Sequence, residues 1–510
     1  MATATNETER KYEAPPGTPL PDLRGLPRVA AQSGDAELLL EATYYDTPSY
    51  DLARAGITLR HRTGGVDAGW HLKVPRDRPD TRVELRLPSA PELPAEFTQL
   101  LTARLRGRVL RPVAAISTRR RSWTLSDEAG EPLAEVAFDD VTGKALGAAS
   151  SAPSRWSELE VELAGGVRRG EGDRLLKAAD RRLRGSGLLR SRRRMKLEAV
   201  LADGLARPAR PRRPATSATA GDVVLVYLGG QLEELFRQDL SVRRAEPDAV
   251  HQMRVGARRT RAVLREFQRL FRGPRAEHLV NELRWLGQEL GAARDEEVLR
   301  DLLIAQLDEL PAESVLGPVR ARLDGHFTPR LAEAERRVRA VLDSPRYLQL
   351  LDDLDGFVTD PPLAAAAQGR ASGVLPHLVR RSQARVKRRM RVARHAPAGN
   401  ERDQALHDAR KAAKRARYAA EAASLVFGRR PRESAAALKR LQTTLGDQHD
   451  AVIAADALRS LAVRAHADGE NGYTYGVLNA RQYVRADHLA ERARHDWRRA
   501  DGRKRTAWMS

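Results

Sequence analysis

The chain has 510 residues, more than one hydrophobic core usually organises, so two or three domains are expected. A net charge of +21 and a pI near 10.7 point to a polyanionic partner: nucleic acid, polyphosphate or an anionic membrane surface. The absence of cysteine excludes disulfides, thiolate metal sites and cysteine nucleophiles, and 5% aromatic content leaves little to stack single-stranded bases. Met1 to Arg10 is polar and lacks the apolar core of a secretory signal, and the longest apolar run, Val223 to Leu228, is too short for a bilayer. A cytoplasmic protein is expected.

In chain order, the first part reads as short alternating strands: Glu7 to Glu13, Gly56 to Thr63, Gly69 to Val74, Arg82 to Leu87, Ile116 to Leu125, Pro132 to Val141 and Trp156 to Leu163. Turn signals such as Thr63-Gly64-Gly65 and Glu128-Ala129-Gly130 separate them, while Ala95 to Arg106 and Arg174 to Arg184 read as helices. Many antiparallel strands with few helices suggest a sandwich or barrel. Ala206 to Ala215, dense in proline and arginine, can neither continue a helix nor sit inside a sheet and reads as a linker. From Gly221 onward helical periodicity dominates, with breaks at Gly273-Pro274, Pro361-Pro362 and Arg430-Pro431, so this part is expected to be all-α. The resulting division is 1–205, a linker 206–216, and 217–505.

The strands carry charge on alternate positions. Glu7, Glu9 and Lys11 share one strand face, as do Arg60 and Arg62; Lys73 follows in Trp-His-Leu-Lys, Arg82 pairs with Glu84, and Glu135 alternates with Asp139. Glu158, Glu160 and Glu162 alternate in the same way. A closed sheet pointing these side chains inward would have a charged lumen, costly unless ions and ligand fill it. Carboxylates suit Mg²⁺ or Mn²⁺, and Arg and Lys suit phosphate.

These residues resemble the CYTH family, the triphosphate tunnel metalloenzymes. The resemblance covers residues 1 to about 205 and rests on Glu7-x-Glu9-x-Lys11, Tyr44-Tyr45-Asp46-Thr47-Pro48, Gly56-Ile-Thr-Leu-Arg60-His-Arg62, Trp70-His-Leu-Lys73, Glu135-x-x-x-Asp139 and Glu158-Leu-Glu160-Val-Glu162. It implies an eight-stranded antiparallel tunnel that binds triphosphates with a divalent metal. By the same resemblance Glu7, Glu9, Asp139 and members of the Glu158, Glu160, Glu162 set would hold Mg²⁺ or Mn²⁺. Lys11, Arg60, Arg62, Lys73, Arg120 and Lys196 would hold phosphates, which makes the Glu7/Glu9/Lys11 face the expected catalytic one. Arg120 is picked from three adjacent arginines by Thr118-x-Arg, and the family's closing Ser-Lys is here Met195-Lys196.

The second part contains a near-repeat. His251, Arg254, Arg258, Arg259 and Arg261 recur with the same spacing as His407, Arg410, Lys414, Arg415 and Arg417. A second pair follows in step, Leu290-Gly291-x-x-Arg294-Asp295 and Leu445-Gly446-x-x-His449-Asp450, so the unit is duplicated. At ~100° per residue, positions i, i+3, i+7 and i+10 fall within an arc of ~80°, so each copy draws a cationic stripe along a helix. Asp295 and Asp450 are expected to pair with a stripe arginine. Among so many arginines the histidines suit phosphate contact better than metal ligation.

This part resembles the CHAD family, conserved-histidine α-helical domains found beside CYTH domains. The match runs from about Gly221 to Trp497 on the motifs above together with Lys414-Arg415-x-Arg417-Tyr418 and Leu441-Gln442-x-x-Leu445-Gly446. It implies two four-helix bundles related by a pseudo-twofold, with a basic central surface that binds inorganic polyphosphate through His251, Arg254, Arg258, Arg261, His407, Arg410, Lys414 and Arg417, and with it an association with polyphosphate granules. His449 departs from the arginine or asparagine usual there. The function expected is binding and metal-dependent hydrolysis of inorganic triphosphate or polyphosphate. Competing readings are a non-catalytic polyphosphate-binding protein and an adenylate cyclase or other organic triphosphatase. Nucleic acid is disfavoured by the lack of any base-reading motif. No membrane partner is expected, and the sequence names no protein partner.

Overall fold

The seven alternating runs of the first half fold as strands and two further strands join them, so that among the described residues there are nine antiparallel strands, β1 (Thr3–Glu13), β2 (Ala31–Asp46), β3 (Thr58–Thr63), β4 (Gly69–Pro75), β5 (Thr81–Leu87), β6 (Arg111–Ser126), β7 (Pro132–Ala145), β8 (Ser154–Leu163) and β9 (Leu189–Arg190). The structure is a computed structural model that describes residues 3–76, 78, 80–147, 152–205 and 217–509, in two compact units, Met1–Ala209 and Arg210–Ser510. The segment 206–216, expected to be the linker, lies outside the described residues.

The strand order is β5-β4-β3-β2-β6-β7-β8-β1, and β1 pairs again with β5, so eight strands close into a barrel while the short β9 adds to β1. Closure leaves no long sheet edge exposed. Among the described residues six helices accompany it: α1 (Asp51–Arg54), α2 (Ala95–Leu100), α3 (Thr102–Leu105), α4 (Arg169–Gly185), α5 (Lys196–Val200) and α6 (Ala202–Leu205). The apolar positions of β1, β7 and β8 (Tyr12, Val136, Phe138, Leu159, Val161) point outward and are buried against Leu175, Leu176, Ala179 and Leu183 of α4. The main core of this unit thus lies outside the barrel, and the alternate positions of the same strands are left to line the lumen.

β2 was not among the strands expected. Its Ala31-to-Asp46 sequence is rich in Ala, Glu and Leu, and three successive leucines break the alternation, yet it pairs along almost its whole length with β6 and from Glu41 to Tyr45 with β3. At its end Asp46 is fully buried and accepts backbone N–H groups from Thr47, Leu52 and Ala53 at 2.7–2.9 Å, tying β2 to α1. One end of the barrel is plugged. Met195, Leu197 and Leu201, in and around α5, pack on Tyr44, Ile116 and Val141.

The second unit is all helical: α7 (Ala220–Arg243), α8 (Ala249–Glu266), α9 (Arg275–Asp308), α10 (Val319–Asp343), α11 (Pro345–Thr359), α12 (Ala371–His395), α13 (Asn400–Phe427), α14 (Arg429–Ala467), α15 (Tyr473–Ala500) and α16 (Arg503–Thr506), with short 3₁₀ turns between some of them. α7 starts on a capping box in which Thr219 and Asp222 satisfy each other's backbone N–H groups. α8 packs between α7 and α9, α13 packs between α12 and α14, and α8 also meets α13. The break expected at Arg430-Pro431 falls at Gly428, whose φ of 66° ends α13; Pro431 sits in the first turn of α14, where a missing N–H costs nothing. Among the described residues no helix is long and apolar enough to cross a membrane.

Candidate functional site

Register decides which side chains share the lumen of the barrel. Cross-strand partners run Lys73 to Glu84, Glu7 to Arg82, Glu9 to Glu162, Lys11 to Glu160, Glu158 to Asp139 and Asp139 to Arg120. Arg60 and Arg62 lie opposite Tyr44 and Ala42 of β2. The strand residues singled out in the sequence therefore share one continuous inner surface, and most of them fall into two groups.

The first group surrounds Glu160. Asp139, Glu158 and Glu160 are buried, and one oxygen from each lies within 4.8 Å of the others, the composition of an all-oxygen metal site. Three cations now occupy it. Arg120 donates to both oxygens of Asp139 at 2.7–2.8 Å and to Glu160 at 2.8 Å; Lys196 reaches Asp139, Glu158 and Glu160 at 2.7–2.9 Å; and Lys11 donates to Glu160. Burial opposes the charge on Lys196, but the three carboxylates outweigh it and raise its pKa well above the ordinary value. Lys196 enters from the strap that closes the barrel. Ser191 N–H donates to Lys11 O at 2.9 Å, Arg82 donates to Arg194 O at 2.6 Å, and Lys196 then begins α5.

The second group surrounds Glu84, which sequence reasoning paired with Arg82 but left out of the site. Fully buried, Glu84 accepts from Arg86, lies 2.9 Å from His71 Nδ1, 3.4 Å from Lys73 and 3.6 Å from Arg60. Burial opposes its charge, yet His71, Lys73 and Arg60 hold it well below the usual carboxylate range. Glu7 accepts from Lys73 at 2.6 Å, and Arg62 pairs with Asp67. Glu162 stands apart from both groups: burial pushes its carboxyl up to about 7, and the charges of Glu7 and Glu9 add to the effect. His71, Arg82, Glu84 and Arg86 could have been found by extending the period-two reading through β4 and β5.

Some lumen donors have no acceptor. Arg60 Nε and Arg62 Nε are buried without a hydrogen-bond partner, and burial followed by the neighbouring Arg60 lowers the pKa of Arg62 to about 9. The cationic wall holds more positive charge than its carboxylates satisfy.

In the helical unit both stripes have the same local build. Arg254 and Arg410 each lie across a glycine, Gly291 and Gly446, where an added Cβ would come 3.3 and 3.2 Å from the guanidinium. Four residues beyond each glycine an aspartate faces the same arginine, Asp295 at 2.7 Å from Arg254 and Asp450 at 3.9 Å from Arg410. The Leu-Gly motif is thus the seat of a stripe arginine, and its aspartate the clamp. The two stripes meet along the groove where α8 packs on α13. Arg258 Nε of α8 donates to Tyr418 OH of α13 at 3.4 Å, and burial, then Arg410, Arg258 and Arg254, depress the pKa of Lys414 to about 6.

His251 and His407 occupy matching places, each with a buried Nδ1 that has no partner, and the His407 ring stacks on His449 with centroids 4.1 Å apart. Arg417 is buried beneath the groove, donating to Glu421 at 2.7 Å and to Gln442 at 3.0 Å. Its counterpart Arg261 instead faces Arg284, Arg258 and Arg265, and burial together with these charges lowers its pKa. Arg284 of α9 escaped the sequence reading because it belongs to neither motif.

Comparison with known proteins places two family models on the chain, a CYTH domain over residues 5–187 and a CHAD domain over residues 226–459. A protein of Mycobacterium tuberculosis, the uncharacterized protein Rv2226, is 39% identical over 504 residues, which is 96% of this chain and 94% of the relative. Among solved structures, PptA from Streptomyces chartreusis is 24% identical and covers 56% of this chain and 99% of its own, with a TM-score of 0.46. The CHAD domain from the plant Ricinus communis is 27% identical over 56% of this chain and 93% of its own, also with a TM-score of 0.46.

Proposed function

The chain belongs to the family in which a CYTH domain precedes a CHAD domain, and on that premise we propose that it binds and hydrolyses inorganic triphosphate or the end of a polyphosphate chain in its tunnel, while the helical unit holds long-chain polyphosphate. The observation that carries this reading is the pair of buried arginine donors without acceptors, Arg60 Nε and Arg62 Nε, facing the same lumen as the carboxylate group. A binder of phosphate alone would need only cations. The crowding of Asp139, Glu158 and Glu160 is the feature that asks for a divalent ion as well.

Those three carboxylates, all oxygen donors, fit Mg²⁺ or Mn²⁺, with Glu9 and Glu162 on the adjoining row and Glu7 beyond them. When bound, the ion would polarise the attacked phosphoryl group and neutralise part of its charge. Lys11, Lys196 and Arg120, now held on Glu160 and its neighbours, would turn to phosphate oxygens once that carboxylate charge is met elsewhere. Arg60, Arg62 and Lys73 would hold the rest of the triphosphate from the opposite wall, with Glu84 fixing Arg60 and Lys73 and Asp67 fixing Arg62. Cations already in place around the phosphoryl group stabilise the transition state without reorganising.

The test is phosphate release from tripolyphosphate, long-chain polyphosphate, thiamine triphosphate and ATP, each with Mg²⁺ and with Mn²⁺. Release from tripolyphosphate that requires the ion is the expected result. Turnover of ATP or thiamine triphosphate alone would move the assignment to an organic triphosphate, and no turnover of any of them would leave a binding protein.

A further inference from the structure

We propose that the outward face of α12 is a second polyanion track, continuous with the groove between the two stripes, which takes the part of a long polyphosphate chain that the groove does not hold. This rests on the reading of the helical unit as a polyphosphate binder. Between Ala371 and His395 the helix carries no Asp or Glu at all. Arg381, Arg388 and Arg391, at i, i+7 and i+10, fall within an arc of ~80° on the helix surface. All three are exposed, and among the described residues none of them has a hydrogen-bond or ion-pair partner.

A face that serves only solvation usually mixes signs, because like charges three or four residues apart destabilise a helix and opposite charges stabilise it. The helix dipole accounts for Arg394 and His395 in the last turn, since it favours cations there. It does not account for Arg381, three turns inside. The apolar side chains that a membrane-seeking helix would place beside its cations are also lacking, Val392 being the one large exposed apolar residue of the helix.

What selects polyphosphate is continuity with the groove. On the side of α12 turned toward the groove, Arg385 pairs with Glu266 of α8 and Arg389 lies 3.4 Å from Asp408 of α13. Burial, then the charges of Arg265 and Arg385, with Arg389 contributing less, lower the pKa of Arg415, which flanks Lys414, so Arg385 and Arg389 are within electrostatic reach of the edge of the second stripe. Arg388 directly precedes Arg389 and opens onto the exposed face. A flexible linear polyanion can follow this path, whereas a stiff duplex cannot enter a groove between helices and then turn over its rim.

The experiment uses the full chain with Arg381→Ala, Arg388→Ala and Arg391→Ala combined, titrated with long-chain polyphosphate, with tripolyphosphate and with duplex DNA. Long-chain affinity should fall roughly tenfold, and its log–log salt slope should become shallower by about 2, at roughly 0.7 per cation for a single chain. Tripolyphosphate binding should not change. The triple Arg→Lys variant should bind like the wild type, because the track needs charge rather than guanidinium geometry. Unchanged long-chain affinity and salt slope would overturn the track, as would equal losses for both ligands, or a loss confined to duplex DNA. Arg254→Ala with Arg258→Ala reports on the groove separately. Groove-dependent binding that ignores α12 removes this inference alone, while a wild-type chain that binds no long-chain polyphosphate removes the groove reading and the track together.

Discussion

Glu160 is the residue on which most of the tunnel turns. It accepts from Lys11, Lys196 and Arg120, and these charges outweigh the burial that would otherwise raise its pKa, holding it well below the ordinary carboxylate value. Two effects of Glu160→Gln can therefore be separated. Metal-dependent turnover should drop by more than the roughly 10–100-fold that supporting partners of a metal site cost, because a ligand charge is lost. Tripolyphosphate binding in the presence of a chelator should tighten, because three cations are released to meet phosphate; calorimetry with the chelator present checks it, and weakened metal-free binding would contradict the assignment. Lys414 makes the corresponding statement in the groove. With its pKa depressed to about 6 by burial and then by Arg410, Arg258 and Arg254, it is mostly neutral at pH 8 without ligand. A polyanion favours the charged form, so binding above pH 6 takes up a proton. Affinity is then full below about pH 6 and falls as pH rises, by up to tenfold per unit from this group, until the raised pKa of the bound state is passed. Lys414→Arg, which stays charged, should flatten that profile between pH 6 and 9. A slope that survives the substitution would place the proton elsewhere, with His407 and His449 acting lower in the range.

At the scale of elements, the strands that sequence alone reveals are those whose two faces differ. β1, β7 and β8 alternate between charge toward the lumen and apolar side chains under α4, and their pattern is legible. β2 is not, because Leu38, Leu39 and Leu40 run through both faces, and Leu39 remains largely exposed. α5 escaped notice because five residues are too few for a helical period to register, and its position depends on contacts distant in sequence. The same limit explains the lumen. Period-two reading finds which residues share a strand face, but pairing Lys11 with Glu160, or Arg120 with Asp139, takes the register of the closed sheet. Gly143 is a further case. It looks like an ordinary strand glycine, yet an added Cβ would run into Val200 of α5, and the strap carrying Lys196 packs there. Gly143→Ala should cost about 1–3 kcal/mol of stability in urea unfolding, as overpacking does, and lower turnover by displacing Lys196. Adding Val200→Ala should restore both. If the double variant stays inactive while recovering its stability, α5 does not position Lys196 through this contact.

Across the whole molecule the +21 charge is unevenly compensated. The tunnel cations are interleaved with carboxylates, so binding there should require a divalent ion to take over the carboxylate charge. The groove cations have fewer carboxylates to meet them: Arg254 has Asp295, Arg410 has the more distant Asp450, Arg417 has Glu421, and among the described residues Arg258 meets a tyrosine hydroxyl and no carboxylate. Chelation should therefore abolish turnover and leave long-chain polyphosphate binding intact. Under that condition the stripes can be tested as one site. Arg258 reaches Tyr418 of the other copy, and Arg254 and Arg258 help to depress the pKa of Lys414, so a single polyphosphate chain laid in the groove would touch both stripes. Segments of one ligand held by linked sites raise each other's effective concentration, so neither stripe should bind independently. Arg254→Ala with Arg258→Ala should weaken binding far more than halving the number of sites would, and Arg410→Ala with Lys414→Ala should do the same. Both should also make the salt dependence shallower, because fewer counterions are released. Calorimetry with the chelator present distinguishes the cases. One cooperative site lost in either variant supports a shared groove, and two independent sites, one surviving unchanged in each variant, would show that the copies bind separately.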